Sequence, residues 1–103
     1  MHEEVTSVND VCIRLTDERW AHITEEHSEL AGLRFEVLEA VQQPDKIVKG
    51  SEGALMASRL MQDGKYLVVI YREVSRDGFI ITAFLTRRSA MLERRELVWS
   101  APK

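Results

Sequence analysis

The chain has 103 residues, of which 45% are hydrophobic and 30% charged, so its composition is that of one globular domain spanning residues 1–103 rather than of a disordered protein. No segment approaches the roughly 18 consecutive apolar residues of a membrane span. The start, Met-His-Glu-Glu, lacks the apolar segment of a signal peptide. The single cysteine cannot form an internal disulfide. These features predict a cytoplasmic protein that does not associate with a membrane.

The net charge of −3 is unevenly distributed along the chain. Residues 1–45 carry eleven acids and three bases, for a charge of −8, whereas residues 46–103 carry six acids and eleven bases, for +5. A basic half of this kind is suited to binding phosphate, which hints at nucleic acid. The alternative is two solvated surfaces of opposite sign that complement each other within the molecule.

The N-terminal part of the sequence predicts a loose start, a short strand and a helix. Residues 1–10 are polar, and the apolar alternation in residues 11–15 is a weak strand signal. Thr16 is suited to cap a helix that begins with two acids and ends at about Glu26 or His27.

On this first helix, the side chains divide into two faces. At 100° per residue, Trp20, Ile23 and His27 form one stripe. His22 points away from that stripe, toward the acidic side of the helix. We therefore expect His27 to face the rest of the protein.

The second half of the sequence predicts a second helix followed by strands. The apolar pattern of residues 33–42 indicates the helix, and Pro44 would end it. The segment 87–99 is compatible with a short helix or with an edge strand. The predicted strands cover residues 47–48, 55–61, 65–74 and 79–86.

Two turn motifs set the expected register of these strands. A two-residue loop at Asp63-Gly64 would pair Arg59 with Val68, and a three-residue loop at residues 76–78 would pair Arg72 with Thr82 and Ile70 with Phe84. One face of the sheet would then be mixed and the other almost wholly apolar. The first would carry Arg59, Val68, Ile70, Arg72, Ile80, Thr82, Phe84 and Thr86, and the second Leu60, Leu67, Val69, Tyr71, Phe79, Ile81, Ala83 and Leu85.

This order of elements predicts an α+β fold. Its two N-terminal helices would pack on the apolar face of an antiparallel sheet of about four strands.

Several short motifs, taken in order, resemble a known family. A helix with Trp-x-His-Ile is followed by His-x-Glu, a second helix is followed by Pro-Asp, and Gly-Lys-Tyr leads into a Val-rich strand before Thr-Ala-aromatic. This order is similar to that of phage-associated nuclease domains of the barnase–EndoU–colicin–RelE (BECR-fold) superfamily, over residues 15–90. The family pattern usually has proline at the position of Ser28, and often tyrosine at that of Phe84. The matching residues are Trp20, His22, Ile23, His27, Glu29, Pro44, Asp45, Gly64, Lys65, Tyr66, Thr82, Ala83 and Phe84.

The resemblance implies a toxin-like or phage-associated endoribonuclease that cleaves RNA without a metal ion or other cofactor. RNA would be the substrate, with tRNA one candidate, and a cognate inhibitor protein is a candidate partner. Such cleavage needs a base for the ribose 2′-hydroxyl, an acid for the leaving oxygen and cations for the phosphate.

Four residues are the predicted catalytic set. His27 would be the acid or base, because histidine titrates near neutral pH. Arg59 and Arg72 would bind phosphate, and Thr82 would donate a hydrogen bond. Further candidates are His22, Lys65 and Thr86.

Each of these assignments has a structural alternative. His27 could be a histidine at the edge of the core, His22 a solvated surface residue, and the two arginines strand residues paired with glutamates. Five residues separate His22 from His27, unlike the i, i+4 pair of a zinc helix, so no metal site is predicted. The competing function is a catalytically inactive protein-binding module of the same fold, whose acidic half would bind a basic partner.

Overall fold

Residues 1–102 are described by a computed structural model, in which three short α-helices and a 3₁₀ turn pack on a seven-stranded sheet. The spatial order of the strands is β1-β2-β6-β5-β4-β3-β7, and every neighbouring pair is antiparallel except β2 and β6, which are parallel. The strands are β1 (His2–Thr6), β2 (Cys12–Thr16), β3 (Lys46–Lys49), β4 (Leu55–Leu60), β5 (Tyr66–Val74), β6 (Asp77–Thr86) and β7 (Leu97–Ser100). The helices are α1 (Asp17–Glu26), α2 (Arg34–Gln42) and α3 (Ala90–Glu93), and the 3₁₀ turn is Ser28–Leu30.

The expected sheet of about four antiparallel strands is therefore wrong. The sheet is mixed and has seven strands, because β1 and β2 extend one edge and β3 and β7 form the other. The prediction that residues 1–10 are loose is also wrong. Strand β1 is mostly exposed and so lacks a hydrophobic pattern, but it is ordered by its antiparallel pairing with β2.

The segment that the sequence left open between helix and strand contains both. Helix α3 is followed by β7, which pairs with β3 at the edge of the sheet. Leu92 of α3 is buried against Val48, Met56 and Val68. This contact places α3 against the face of the sheet that α1 and α2 leave open.

Local sequence signals explain the first two helices. Thr16 caps α1, since its side-chain oxygen accepts a hydrogen bond of 3.0 Å from the backbone N–H of Arg19. The predicted end at Glu26 or His27 is confirmed, with Glu26 the last helical residue. Helix α2 ends at Gln42, two residues before Pro44, as expected.

The first hairpin is longer than predicted, which shifts its register. Strands β4 and β5 are joined by residues 61–65, where the N–H of Met61 donates to the carbonyl of Lys65 at 2.8 Å. Arg59 consequently pairs with Leu67, not with Val68 as predicted. A shift of one residue turns each side chain to the opposite face. Arg59 therefore lies on the side of the sheet covered by the helices.

The second hairpin differs from the prediction twice. Its strands meet at a two-residue loop, residues 75–76, and a bulge lies further along, where Ile70 pairs with Thr82 but Tyr71 pairs with Ile80. The predicted pairs of Arg72 with Thr82 and of Ile70 with Phe84 are thus wrong. With the short loop alone, Thr82 would lie on the face opposite Arg72. The extra residue of the bulge shifts the pairing by one more position and places Thr82 on the same face as Arg72.

The two faces of the sheet are both packed. On the helix side, a large core includes Leu67, Val69, Tyr71 and Ile80, each at most 1% exposed. Ile80 was predicted for the opposite face, and the two-residue loop accounts for the difference, because Ile80 lies between that loop and the bulge. On the outer side, a smaller cluster lies beneath α3.

Within residues 1–102, no helix is long and apolar enough to cross a membrane.

Candidate active site at the open edge of strand β6

His27 lies at the C-terminal end of α1, beside strand β6. Strand β2 pairs only with residues 77–79 at the start of β6, so the rest of that strand has no neighbouring strand on this side. Helix α1 and the 3₁₀ turn lie there instead. The imidazole ring of His27 contacts the ring of Phe84, with centroids 6.2 Å apart, and the side chain is 31% exposed.

A carboxylate lies near one nitrogen of this histidine. Oε2 of Glu29, in the 3₁₀ turn, is 3.7 Å from Nδ1 of His27. The distance is that of an ion pair rather than of a formed hydrogen bond. Because Glu29 lies on the Nδ1 side of the ring, Nε2 is the nitrogen left to exchange a proton with a substrate.

Phe84 also lines a cleft on the outer face of the sheet. The cleft has a volume of about 300 Å³ and lies between the loop of residues 50–54, strands β4 to β6 and the segment around α3. Its apolar floor includes Met56, Ile70, Phe84 and Met91, and two arginines, Arg72 and Arg95, also line it. Phe84 therefore connects the histidine to an apolar cleft with cationic groups.

The two arginines of the cleft, Arg72 and Arg95, have no ion-pair partner among residues 1–102, although Glu52 also lines the cleft. Nη1 of Arg95 donates to the main-chain carbonyl of Lys49 at 3.2 Å, which orients the guanidinium without neutralising it. Thr82 shares the outer face with Arg72 but does not line the cleft. Cations of this kind suit a phosphate ligand.

Arg59, by contrast, is separated from this group. On the helix side, its Nη1 donates to the carbonyl of Gln43 at 2.6 Å, and its Nη2 lies 3.9 Å from Oε1 of Glu39. The alternative of a strand arginine paired with a glutamate thus describes Arg59. The register shift in the first hairpin is the cause.

The three further candidates have local partners. Nε2 of His22 is 2.9 Å from Glu26 on the exposed side of α1. Lys65 lies 3.9 Å from Asp63 within its own turn. Oγ1 of Thr86 accepts a hydrogen bond of 3.1 Å from the backbone N–H of Arg88.

The sequence prediction missed Arg95 and did not assign a role to Glu29. Glu29 belongs to the His-x-Glu motif, and its separation of two residues from His27 in the sequence is a signal that the two side chains could lie close together. Arg95 belongs to a run of arginines in a segment whose structure the sequence left open. Its place at the cleft depends on where α3 packs.

The pKa values that depart from their usual range belong to groups away from the cleft. A hydrogen bond from Arg34 lowers the pKa of Asp17. Sγ of Cys12 donates to Glu4 at 2.6 Å, which lowers the pKa of that carboxyl and raises the pKa of the thiol. Burial raises the pKa of Tyr71. None of these four groups lines the cleft.

The described chain, residues 1–102, contains no group of three or more His, Cys, Asp or Glu side chains arranged to hold a metal ion. No family model matches the sequence, and no curated protein or solved structure is significantly similar to it. The resemblance to BECR-fold nucleases stays a prediction that rests on this chain's own residues.

Proposed function

We propose that this protein is a small endoribonuclease that cleaves RNA without a metal ion, at the outer face of the sheet beside His27. One observation carries the proposal. The ring of His27 contacts Phe84, which lines a cleft with two arginines that have no carboxylate partner in residues 1–102. A titrating base and phosphate-binding cations are what cleavage by the ribose 2′-hydroxyl requires.

The reaction we propose is an internal phosphoryl transfer. Nε2 of His27 takes the proton of the 2′-hydroxyl, and the resulting oxyanion attacks the adjacent phosphorus. The bond from phosphorus to the 5′-oxygen breaks, and this oxygen takes a proton from solvent. The products are a 2′,3′-cyclic phosphate and a 5′-hydroxyl, so protons balance and no co-reactant is needed.

The neighbouring residues would support this step in two ways. The carboxylate of Glu29 stabilises His27 as it becomes protonated, since it lies on the Nδ1 side of the ring. Arg72 and Arg95 bind the phosphate and stabilise the additional negative charge in the transition state. Thr82 does not line the cleft, but it lies on the same face as Arg72 and would contribute a hydroxyl donor there.

We also propose that the protein acts in the cytoplasm. RNA is abundant there, and the free thiol of Cys12 suits a compartment that keeps cysteines reduced.

A catalytically inactive binding module is the second candidate function. Two observations favour it. The distance of 3.7 Å between His27 and Glu29 is longer than a hydrogen bond, and helix α1 carries a cluster of acids that would attract a basic protein and repel RNA.

Incubation of the purified protein with total RNA in EDTA, between pH 5 and 8, distinguishes the two candidates. We expect cleavage to products with cyclic phosphate ends, and a loss of about a hundredfold or more in rate for His27→Ala. His22→Ala is the matched control, because His22 lies on the same helix but pairs with Glu26 on its exposed side. Intact RNA with a folded wild-type protein, verified by circular dichroism, would establish the binding module instead.

A further inference from the structure

Four arginines flank helix α3, next to the cleft. We call Arg87, Arg88, Arg94 and Arg95 the arginine segment. Leu92, on the buried side of α3, packs against the outer face of the sheet and holds the segment there. Met91 and Arg95 line the cleft. The segment is thus an extension of the candidate site, held in place by apolar packing.

The arginine segment is a region of uncompensated positive charge. Arg87 donates to the main-chain carbonyl of Asp63 at 3.0 Å, and Arg95 to that of Lys49, so neither is neutralised by its partner. Arg88 and Arg94 are exposed. None of the four forms an ion pair with a carboxylate of residues 1–102. Arginines without acidic partners are suited to a row of phosphates, and here two are oriented by main-chain carbonyls while Arg88 and Arg94 are exposed to a ligand.

The two acids next to the segment in sequence, Glu93 and Glu96, do not cancel this charge. Glu96 forms an ion pair of 3.3 Å with Lys49, so each compensates the other. Glu93 remains as the single acid within α3. The segment from Arg87 to Arg95 therefore keeps a clear excess of positive charge.

The cleft next to these arginines suits one nucleobase. Its volume of about 300 Å³ is small, and its floor contains the aromatic ring of Phe84 and the thioethers of Met56 and Met91. An unpaired base can stack on such a floor, whereas a base within a duplex has both faces covered by its neighbours.

We propose that the cleft and the arginine segment together bind single-stranded RNA. One unpaired base enters the cleft, and the phosphates that follow it lie along Arg88 and Arg94. This inference rests on the proposed function, because it names the form of RNA that the same site takes.

Binding is best measured in a His27→Ala background, so that affinity is measured without cleavage. The probe is a fluorescein-labelled single-stranded RNA of about eight nucleotides, compared by anisotropy with the duplex of the same sequence. We expect the single strand to bind at least about tenfold more tightly than the duplex.

The decisive variant is Arg88→Ala with Arg94→Ala, and the matched control is Arg19→Ala with Arg76→Ala. The control pair removes the same charge from exposed positions in α1 and in the loop between β5 and β6. We expect the first pair to weaken binding about tenfold and to reduce the salt slope by about 1.4, the value for two contacts with a single strand. The control pair should change affinity less than about twofold.

Phe84→Leu tests the stacked base separately, since it preserves apolar volume but removes the aromatic face. A loss of affinity of about fivefold or more is expected. Equal effects of the two arginine pairs, or equal binding of duplex and single strand, would overturn the inference. A folded wild-type protein that binds the single strand through Arg88 and Arg94 yet leaves it intact would refute the proposed cleavage while leaving this inference standing.

Discussion

The two faces of strands β5 and β6 have different roles, since one packs in the hydrophobic core and the other forms the candidate site. Leu67, Val69 and Tyr71 point toward the helices and are fully buried. Arg72 and Phe84 lie on the opposite face and remain partly exposed at the cleft. Neighbouring residues of one strand thus serve the core and the candidate site in alternation.

This alternation makes the register decisive for function. A slip by one residue would move a side chain from the cleft into the core, or the reverse. Arg59 and Arg72 show the effect, since both are strand arginines but only Arg72 reaches the cleft. Paired substitutions on the two faces therefore test the comparison directly.

The largest expected difference is between two adjacent isoleucines at the bulge. Ile80→Ala should lower the free energy of unfolding by about 2 to 5 kcal/mol, because Ile80 is only 1% exposed and packs in the main core. Ile81→Ala should cost about 1 kcal/mol or less, because Ile81 is partly exposed and lines the cleft. Urea unfolding monitored by circular dichroism measures both. The reverse order would show that the bulge is misplaced.

The second test compares the two arginines. Arg72→Ala should lower kcat/KM for RNA cleavage by about tenfold to a hundredfold, since a charged hydrogen bond to phosphate contributes about 1.5 to 3 kcal/mol. Arg59→Ala should leave kcat/KM unchanged and lower stability by about 1 kcal/mol, because it removes the hydrogen bond to Gln43. Cleavage kinetics and urea unfolding of both variants separate these effects. Equal losses of activity would contradict the assignment of the cleft to Arg72.

A smaller effect is expected inside the core. The hydroxyl of Tyr71 is buried and has no hydrogen-bond partner among residues 1–102. Tyr71→Phe should therefore raise the free energy of unfolding by about 1 kcal/mol, since an unsatisfied buried hydroxyl is costly.

The control for Tyr71 lies on the outer face of the same strand. Tyr66 is half-buried, and Tyr66→Phe should change stability by less than about 0.5 kcal/mol. Thermal or urea unfolding measures both variants. Destabilisation by Tyr71→Phe would show that the hydroxyl has a partner, such as a buried water.

The smallest expected effect is the pH dependence of the ion pairs on the helix side. Nη2 of Arg34 donates to Asp17 at 2.8 Å, and its Nε lies 2.6 Å from Glu3, an ion pair without the alignment of a hydrogen bond. The hydrogen bond lowers the pKa of Asp17 in the folded protein. Its contribution to stability is thus present above the unfolded pKa of about 4 and is lost as the pH falls through the lowered folded value.

Asp17→Asn removes this contribution. The variant should be less stable than the wild type at neutral pH, and the difference should disappear at about pH 2. Glu18→Gln, at the next position of α1, is the control, because Glu18 forms no ion pair within residues 1–102. Urea midpoints of the three proteins across this pH range measure the effect. A constant difference between wild type and Asp17→Asn at every pH would contradict it.

The elements that the sequence predicted well are those with local causes. The start of α1 depends on the cap at Thr16, and α2 ends before Pro44, so both bounds follow from residues within one turn of the helix. The segment Tyr66–Val74 was recognised as a strand because its apolar run is long and rich in β-branched residues. His27 was singled out on the same basis, through its place on a helical stripe.

The register had no such local cause. Asp63-Gly64 is typical of a two-residue hairpin, yet residues 61–65 form a longer turn closed by the hydrogen bond between Met61 and Lys65. The bulge opposite Tyr71 has no glycine or proline that would indicate it in the sequence, because the inserted residue is Ile81. Arg59 was consequently assigned to the wrong face, while Thr82 reached the predicted face through a different pairing.

The sequence by itself determined the first two helices, the central strands, the charge asymmetry and the place of His27 on the stripe with Trp20 and Ile23, because these depend on neighbours within a few residues. Only the tertiary structure decided that β1 and β7 complete the sheet, and that Arg72 and Arg95 share a cleft from which Arg59 is excluded. These features depend on pairing between distant strands, where one inserted residue reverses the face of every side chain beyond it.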